Sequence, residues 1–252
     1  MIDIEYWCEI IKKNSMHIKK WPKELPPLTP EQHRVSDDFA KYWLDFFYCR
    51  YGAVARFNHG YVVKRAPKEF VRTLEIGAGI GEHIKYEKMS LEQKNNYFAV
   101  DIREGMVSKI KETYPYIKAS VGDCESRLNF PDNYFDRILA IHVLEHLPNL
   151  PAAIEEVHRL CTKPHGVFSV VIPCEGGLVY NIARRLSAQR IFERRYKQSY
   201  TWFIEREHVN KPDEIIEELK PYFHIEHKTY FPWRVPTILC NLCIGLNLTA
   251  KC

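Results

Sequence analysis

The stretch Leu74-Glu-Ile-Gly-Ala-Gly-Ile-Gly81 constrains this chain more than any other. A short apolar run, Val71 to Ile76, ends in Gly77, Gly79 and Gly81. It reads as a buried strand breaking into a glycine turn, because glycine takes positive φ and lets a ligand reach the backbone with no Cβ in the way. The spacing is Gly-x-Gly-x-Gly. It departs from the Gly-x-Gly-x-x-Gly of dinucleotide sites, which aim a helix N-terminus at a pyrophosphate. Glu75 stands just before the first glycine, and Glu82 and His83 follow the last. A carboxylate beside the loop suits a ligand carrying an ammonium group and repels a pyrophosphate.

Four further segments follow in order. Asn96 to Ile102 reads as a second strand ending in Asp101, about 20 residues after the glycines, where an acidic side chain is placed to hold ribose hydroxyls. Val121-Gly-Asp-Cys-Glu125 is a third strand end carrying Asp123 and Cys124. Phe135 to His142 is a fourth strand, followed by Val143-Leu-Glu-His-Leu147, and Gly166 to Pro173 is a fifth. Together these segments, from about Arg72 to Pro173, resemble the class I S-adenosylmethionine-dependent methyltransferases. The resemblance implies an α/β fold: a doubly wound, seven-stranded Rossmann-like sheet with helices on both faces. It implies S-adenosylmethionine as cofactor and S-adenosylhomocysteine as product. By the same resemblance Gly77, Ala78 and Gly79 would cradle the methionine part and Glu75 would orient it. Asp101 would take the ribose, Ile102 would pack on the adenine, and Asp123 with Cys124 would meet the adenine amino group.

Composition narrows the partner. Lys and Arg number 36 against 32 Asp and Glu, a formal charge of only +4. A nucleic-acid binder would more often show a strongly basic face, so DNA is not expected and RNA remains a rival. Eight cysteines without a secretory leader point to reduced thiols and a cytoplasmic location. The apolar stretch from Val235 to Leu248 is short and interrupted by Pro236, Asn241, Gly245 and Asn247, so it does not read as a membrane span.

Residues 1–70 read as an N-terminal helical extension and 71–252 as the core, with a lid insertion at about 176–210. Pro22, Pro26, Pro27 and Pro30 divide the extension into a short first helix and a longer one. Thr29 is the expected N-cap of the second, with Pro30 at its first position and Gln32 completing a capping box. The run Phe39 to Tyr51, with Tyr42, Trp43, Phe46, Phe47 and Tyr48, reads either as an aromatic face packed on the sheet or as part of a lid. Asn58-His-Gly-Tyr61 is a candidate for the substrate mouth, with His59 and Tyr61 as its contacts. Pro151 to Cys161 has Ile154, Val157 and Leu160 at helical spacing, and Glu214 to Leu219 gives another helix. Tyr222 to Phe231 and Asn241 to Leu248 read as the closing strand pair.

Methyl transfer from a sulfonium demands alignment more than covalent help, with a base added for a hydroxyl acceptor. His142, at the end of the fourth strand, is the first candidate base and also a cofactor neighbour. His208, in Glu207-His-Val-Asn210, is the second. The Asn/Asp-Pro-Pro-Tyr of many methyltransferases that act on nitrogen of DNA or protein is replaced here by Ile-His-Val-Leu. His142-x-x-Glu145-His146 matches a zinc-peptidase pattern, but that pattern needs both histidines on one helix face, and the first falls at a strand end. Cys240-Asn-Leu-Cys243 stands alone. No metal is therefore expected. In the lid, Arg194 and Arg195 are candidates to meet an anionic acceptor, and the lid arginines could equally rest on anionic lipid headgroups in a peripheral membrane contact. The expected function is methylation of a small molecule, with oxygen of a sugar, lipid precursor or secondary metabolite as first choice. Nitrogen or carbon acceptors and a non-catalytic cofactor-binding protein are the alternatives.

Overall fold

A computed structural model describes residues 20–50 and 52–252, with the side chains of residues 43–50 left outside the description. The first predicted helix lies outside the described residues, as do Tyr51 and the side chains of Trp43, Phe46, Phe47 and Tyr48 in the Phe39 to Tyr51 aromatic run. Two helices lead in, α1 (Pro30–Arg50) and α2 (Gly52–Lys64). The capping box forms as its residues dictate: Gln32 N–H donates to Thr29 Oγ1 at 3.2 Å and Thr29 N–H to Gln32 Oε1 at 2.9 Å.

The core then alternates strand and helix: β1 (Thr73–Ile76), a 3₁₀ turn (Glu82–Tyr86), α3 (Leu91–Asn95), β2 (Tyr97–Asp101), α4 (Glu104–Thr113), β3 (Lys118–Val121), β4 (Arg137–Ile141), a 3₁₀ turn (Leu144–His146), α5 (Leu150–Leu160) and β5 (Val167–Pro173). The segment read from sequence as a lid insertion follows as α6 (Leu178–Arg184), one π-helical segment (Arg185–Gln189), α7 (Arg190–Tyr196) and α8 (Thr201–Glu207). α9 (Pro212–Leu219), β6 (Phe223–Phe231) and β7 (Cys243–Ala250) close the chain.

All seven strands form one sheet in the order β3-β2-β1-β4-β5-β7-β6. The first five are parallel, and β7 runs antiparallel to both β5 and β6. β5 is buried at every position, as expected of a central strand covered on both faces. On one side α5 buries Leu150, Ala153, Ile154, Val157 and Leu160. Strand order reverses between β1 and β4, and ligands of such sheets lie beyond the carboxyl ends of the strands at that point.

The helical extension is not separate from the core. Tyr61 and Val62 of α2 pack with Leu139 of β4, Val171 of β5 and Cys243 of β7. The Val62 carbonyl accepts a bond of 3.1 Å from Arg137, a fully buried arginine. Phe39 of α1 packs edge-on against Phe192 and Phe203 of the lid, with ring centroids 5.0 and 5.2 Å apart. Of the two readings of the aromatic run, this described residue follows the lid. Among the described residues, no helix is long and apolar enough to cross a membrane.

Candidate active site

β1 delivers Glu75 and then breaks at three glycines, all left-handed, with φ of 60°, 54° and 81° at Gly77, Gly79 and Gly81. A Cβ at Gly77 would lie 2.4 Å from Val143 Cγ2, whereas one at Gly79 would meet nothing within 4 Å. Gly79 therefore presents bare backbone to open space. The loop is tied down from β2, where the Asp101 carboxylate accepts from Gly79 N–H at 2.8 Å and from Arg103 N–H at 2.9 Å.

Glu75 is 4 % exposed and accepts a bond of 2.7 Å from the Tyr97 hydroxyl. Burial raises its pKa, against the lowering pull of His83, Tyr97 and Arg137. A cation brought beside Glu75 by a ligand would relieve that cost. Beneath it lies a buried network in which Glu87 pairs with His83 at 2.7 Å and with Arg137 at 2.7 Å. Burial would raise the Glu87 pKa, but these two partners hold it near 2.

One cavity of about 450 Å³ joins the glycine loop to the lid. Its walls include Glu75, Gly77, Ala78, Gly79, Asn58, His59, His142, Glu145, His146 and His208, with Phe39, Tyr180, Ala188, Tyr200, Phe203 and Ile204 forming an apolar roof. The volume lies within the usual range of about 300–1,000 Å³ for small-molecule sites.

The histidines differ in state. His142 follows β4 with φ of 54°, a left-handed backbone uncommon outside glycine and often found at functional sites. Its ring lies between Asn58 Nδ2, 2.8 Å from Nε2, and Glu145 Oε1, 3.0 Å from Nδ1. Burial alone would lower the His142 pKa, but hydrogen bonds to Cys243 and Glu145 and the Glu145 charge outweigh it and raise it to about 10. The ring nevertheless keeps 32 % of its side-chain surface, which faces the cavity. Both ring nitrogens are engaged, Nδ1 by Glu145 and Nε2 by the Asn58 amide, so the ring is placed to hold Glu145.

Glu145 is 1 % exposed. Burial would raise its pKa, and His142 with the neighbouring His146 and His208 brings it down to about 2. His59 is 8 % exposed and stacks on Tyr86 at 4.6 Å. Burial first, then the charges of His83, His142 and Lys85, lower its pKa to about 3, which keeps it neutral. His208 returns from the end of the lid with Nδ1 2.8 Å from Glu175 Oε2.

Three expected substrate contacts are corrected. Tyr61 does not line the cavity: it is 7 % exposed, packed under β7, with its hydroxyl 3.3 Å from the His227 carbonyl. Arg194 and Arg195 also stand outside the cavity wall, on the exposed side of α7. Arg195 is bound to Asp38 at 3.0 Å and lies 4.9 Å from the Tyr42 ring centre. The lid arginine that does line the cavity is Arg184, paired with Glu175 at 2.7 Å. A helix turns its residues around an axis, so arginine density alone did not say which guanidinium faced inward.

Asp101 ends β2, Ile102 follows it, and Asp123 and Cys124 follow the carboxyl end of β3; none of the four lines the cavity wall, which Arg103 and Met106 do. Ile102 is 66 % exposed, free to cover a flat ring. Cys124 is buried, which pushes its thiol up to about 12.

Sequence reasoning missed Glu175 and reached Asn58 and Asn210 only as ends of the segments Asn58-His-Gly-Tyr61 and Glu207-His-Val-Asn210, with no role for either. Asn210 is fully buried, and its side-chain amide donates to the carbonyls of Leu144 and Leu147, both at 2.7 Å. It fixes the turn that carries Glu145 and His146. The run Glu207-His-Val-Asn210 held that signal, as a polar cluster just before a helix.

A protein-family model described as a methyltransferase domain matches residues 74–170. A sterol 24-C-methyltransferase of Neurospora crassa is 29 % identical over 168 residues, 59 % of this chain and 42 % of that protein. The human mitochondrial arginine hydroxylase NDUFAF5 is 31 % identical over 102 residues, 40 % of this chain and 28 % of its own. The chain thus spans less than half the length of the curated relatives it matches. Among solved structures, a methyltransferase of Thermotoga maritima superposes with a TM-score of 0.57 at 19 % identity, covering 86 % of this chain and 99 % of that one.

Proposed function

We propose that this chain, which belongs to the class I S-adenosylmethionine-dependent methyltransferase superfamily, transfers the donor's methyl group to an oxygen of a small, largely apolar molecule. The observation that carries this reading is one continuous cavity, which runs from the bare backbone of Gly79 to a polar cluster under an aromatic roof. The residues present fit the donor. Gly79 leaves room for its methionine part, Gly77 turns the chain tightly against Val143, and the buried Glu75 gains from a neighbouring ammonium. Asp101 would take the ribose hydroxyls with the capacity left by its bonds from Gly79 N–H, Arg103 N–H and the Arg103 guanidinium, Ile102 would cover the adenine, and Asp123 and Cys124 would meet its amino edge.

When bound, the sulfonium donor supplies an already activated methyl group. The chain's own task is position and exclusion of water. The roof of Phe39, Tyr200 and Phe203 closes over an apolar acceptor body, and Ala188 keeps that roof tight. His142 and Asn210 hold Glu145 and its turn in place. His208, with Nδ1 fixed by Glu175, keeps Nε2 for the acceptor end of the cavity or for an ion that binds there. A cavity of about 450 Å³ shared with part of the donor leaves room for a compact acceptor only.

A carbon acceptor is the second reading, favoured by the sterol 24-C-methyltransferase relatives and by Glu145 and Glu207 in the cavity wall, which could offset positive charge on an alkylated alkene. Incubation with donor labelled in its methyl group and a panel of phenols, hydroxylated lipids and unsaturated lipids, followed by NMR of the product, tests both. A labelled methyl on oxygen supports the first reading and one on carbon the second. No labelled product, with donor binding intact, refutes both.

A further inference from the structure

The carboxylate of Glu145 and the imidazoles of His146 and His208 bring one ligand atom each within 4.8 Å of one another. All three residues line the cavity. We propose that they form a binding site for one divalent transition-metal ion, set in the acceptor end of the cavity.

Four observations carry this. First, the carboxylate has an oxygen to give: Glu145 is 1 % exposed, Oε1 is engaged by His142, and Oε2 is buried with no hydrogen-bond partner. A bare buried carboxylate oxygen is costly and calls for a cation or a donor. Second, both imidazoles are already oriented as metal ligands are. His146 Nδ1 lies 2.5 Å from the Glu207 carbonyl and His208 Nδ1 lies 2.8 Å from the Glu175 carboxylate. Each Nδ1–H donates to an oxygen, which fixes the tautomer and leaves the Nε2 lone pair free, the arrangement that supports histidine ligation. Third, the His146 Nε2 faces the carboxylate, 3.9 Å from Oε1. Fourth, the turn is held rigidly, since Asn210 ties the Leu144 and Leu147 carbonyls and donates its backbone N–H to the Glu145 carbonyl at 3.0 Å.

The donor set decides the ion class. Two imidazoles and one carboxylate suit zinc, iron, cobalt, nickel or manganese, and do not suit calcium or magnesium, which prefer all-oxygen shells. Ligand bonds of about 2.0–2.1 Å put donor atoms roughly 3.3 Å apart in a tetrahedral site, so the cluster must tighten by about 1.5 Å at its widest pair. Rotation of the two rings about their side-chain bonds can supply that. Three protein ligands leave at least one position open, as in catalytic zinc sites. That position faces the cavity, where an acceptor oxygen would bind. The expectation of no metal rested on His142 and His146 failing to share a helix face. His142 does turn away, and His208, arriving from the far side of the lid, takes its place.

The ion's role at an acceptor oxygen rests on the methyl-transfer reading, while its binding does not. The experiment therefore measures binding. Full-length, untagged protein is stripped with a chelator and titrated with zinc by calorimetry and with cobalt by visible absorption. One ion per chain is expected, with cobalt bands of a low-coordinate nitrogen and oxygen site. Glu145→Gln and His208→Ala should each weaken binding at least tenfold. His158→Ala, at a histidine outside the cavity, should leave it unchanged. Glu145→Gln keeps the shape of the side chain, and the thermal midpoint of each variant confirms that it folds. S-adenosylhomocysteine titration of the same samples keeps the two readings apart. Normal donor-product binding with no ion bound, or an ion bound equally by wild type and both ligand variants, would overturn the site. An ion lost in both variants with no methyl transfer to any acceptor would leave the site standing and refute the function.

Discussion

The two glycines Gly77 and Gly79 share a left-handed backbone and differ in what surrounds them, so the pair Gly77→Ala and Gly79→Ala separates folding from ligand binding. Either alanine at φ near +60° costs about 1–2 kcal/mol in the backbone. At Gly79 nothing else is added, because a Cβ there meets no atom within 4 Å. At Gly77 the new methyl would sit 2.4 and 2.9 Å from the two Val143 methyls, and Val143 is itself only 7 % exposed in the main core. Overpacking of that kind adds about 1–3 kcal/mol. The expected loss of stability is then about 1–2 kcal/mol for Gly79→Ala and about 2–5 kcal/mol for Gly77→Ala. For a chain of this size that is a fall in Tm of roughly 2–4 °C per kcal/mol. Donor binding should move the other way. Gly79→Ala, the milder variant, puts a methyl into the cavity where the donor's methionine part would lie, and should weaken S-adenosylmethionine binding by at least tenfold, about 1.4 kcal/mol. Thermal denaturation gives the first number and calorimetric titration the second. A Gly79→Ala protein that folds and binds the donor within twofold of wild type would refute the placement of the donor on this loop.

Two further outcomes are expected. His59, buried with a pKa lowered from 6.5 to about 3, stays neutral in the folded chain but protonates on unfolding, so its contribution is intact above pH 6.5 and lost as the pH falls toward 3. The wild type should lose about 2 kcal/mol more than His59→Phe between pH 7 and pH 5 in urea denaturation, and parallel losses would exclude His59 as the source. Phe39→Ala removes a ring that is 2 % exposed and touches Phe192, Tyr196, Tyr200 and Phe203. It should loosen the roof by about 3–5 kcal/mol. The acceptor KM should rise while donor affinity holds; a collapse of donor affinity at unchanged acceptor KM would show that the roof does not belong to the acceptor.

The local chemistry of single segments was enough for the sheet. Continuous apolar runs, a glycine break and acidic strand ends reported β1, β2, β4 and β5 because burial on both faces and positive φ are demands each segment meets by itself. The Thr29 cap was equally readable, since its partner is three residues away. The side-chain cluster was not. Glu145, His146, His208 and Glu175 come from two turns and a lid that meet only after the sheet has closed, and the protonation of Glu145 and Glu175 depends on burial and neighbours that no local pattern contains. The same holds for the rejected candidates. Tyr61 and Arg195 have the right residue types, but helix rotation sends one into the core and the other to the surface. Spacing fixes what a segment can bury. Which side chains face one another across a cavity is decided by packing between elements far apart in sequence.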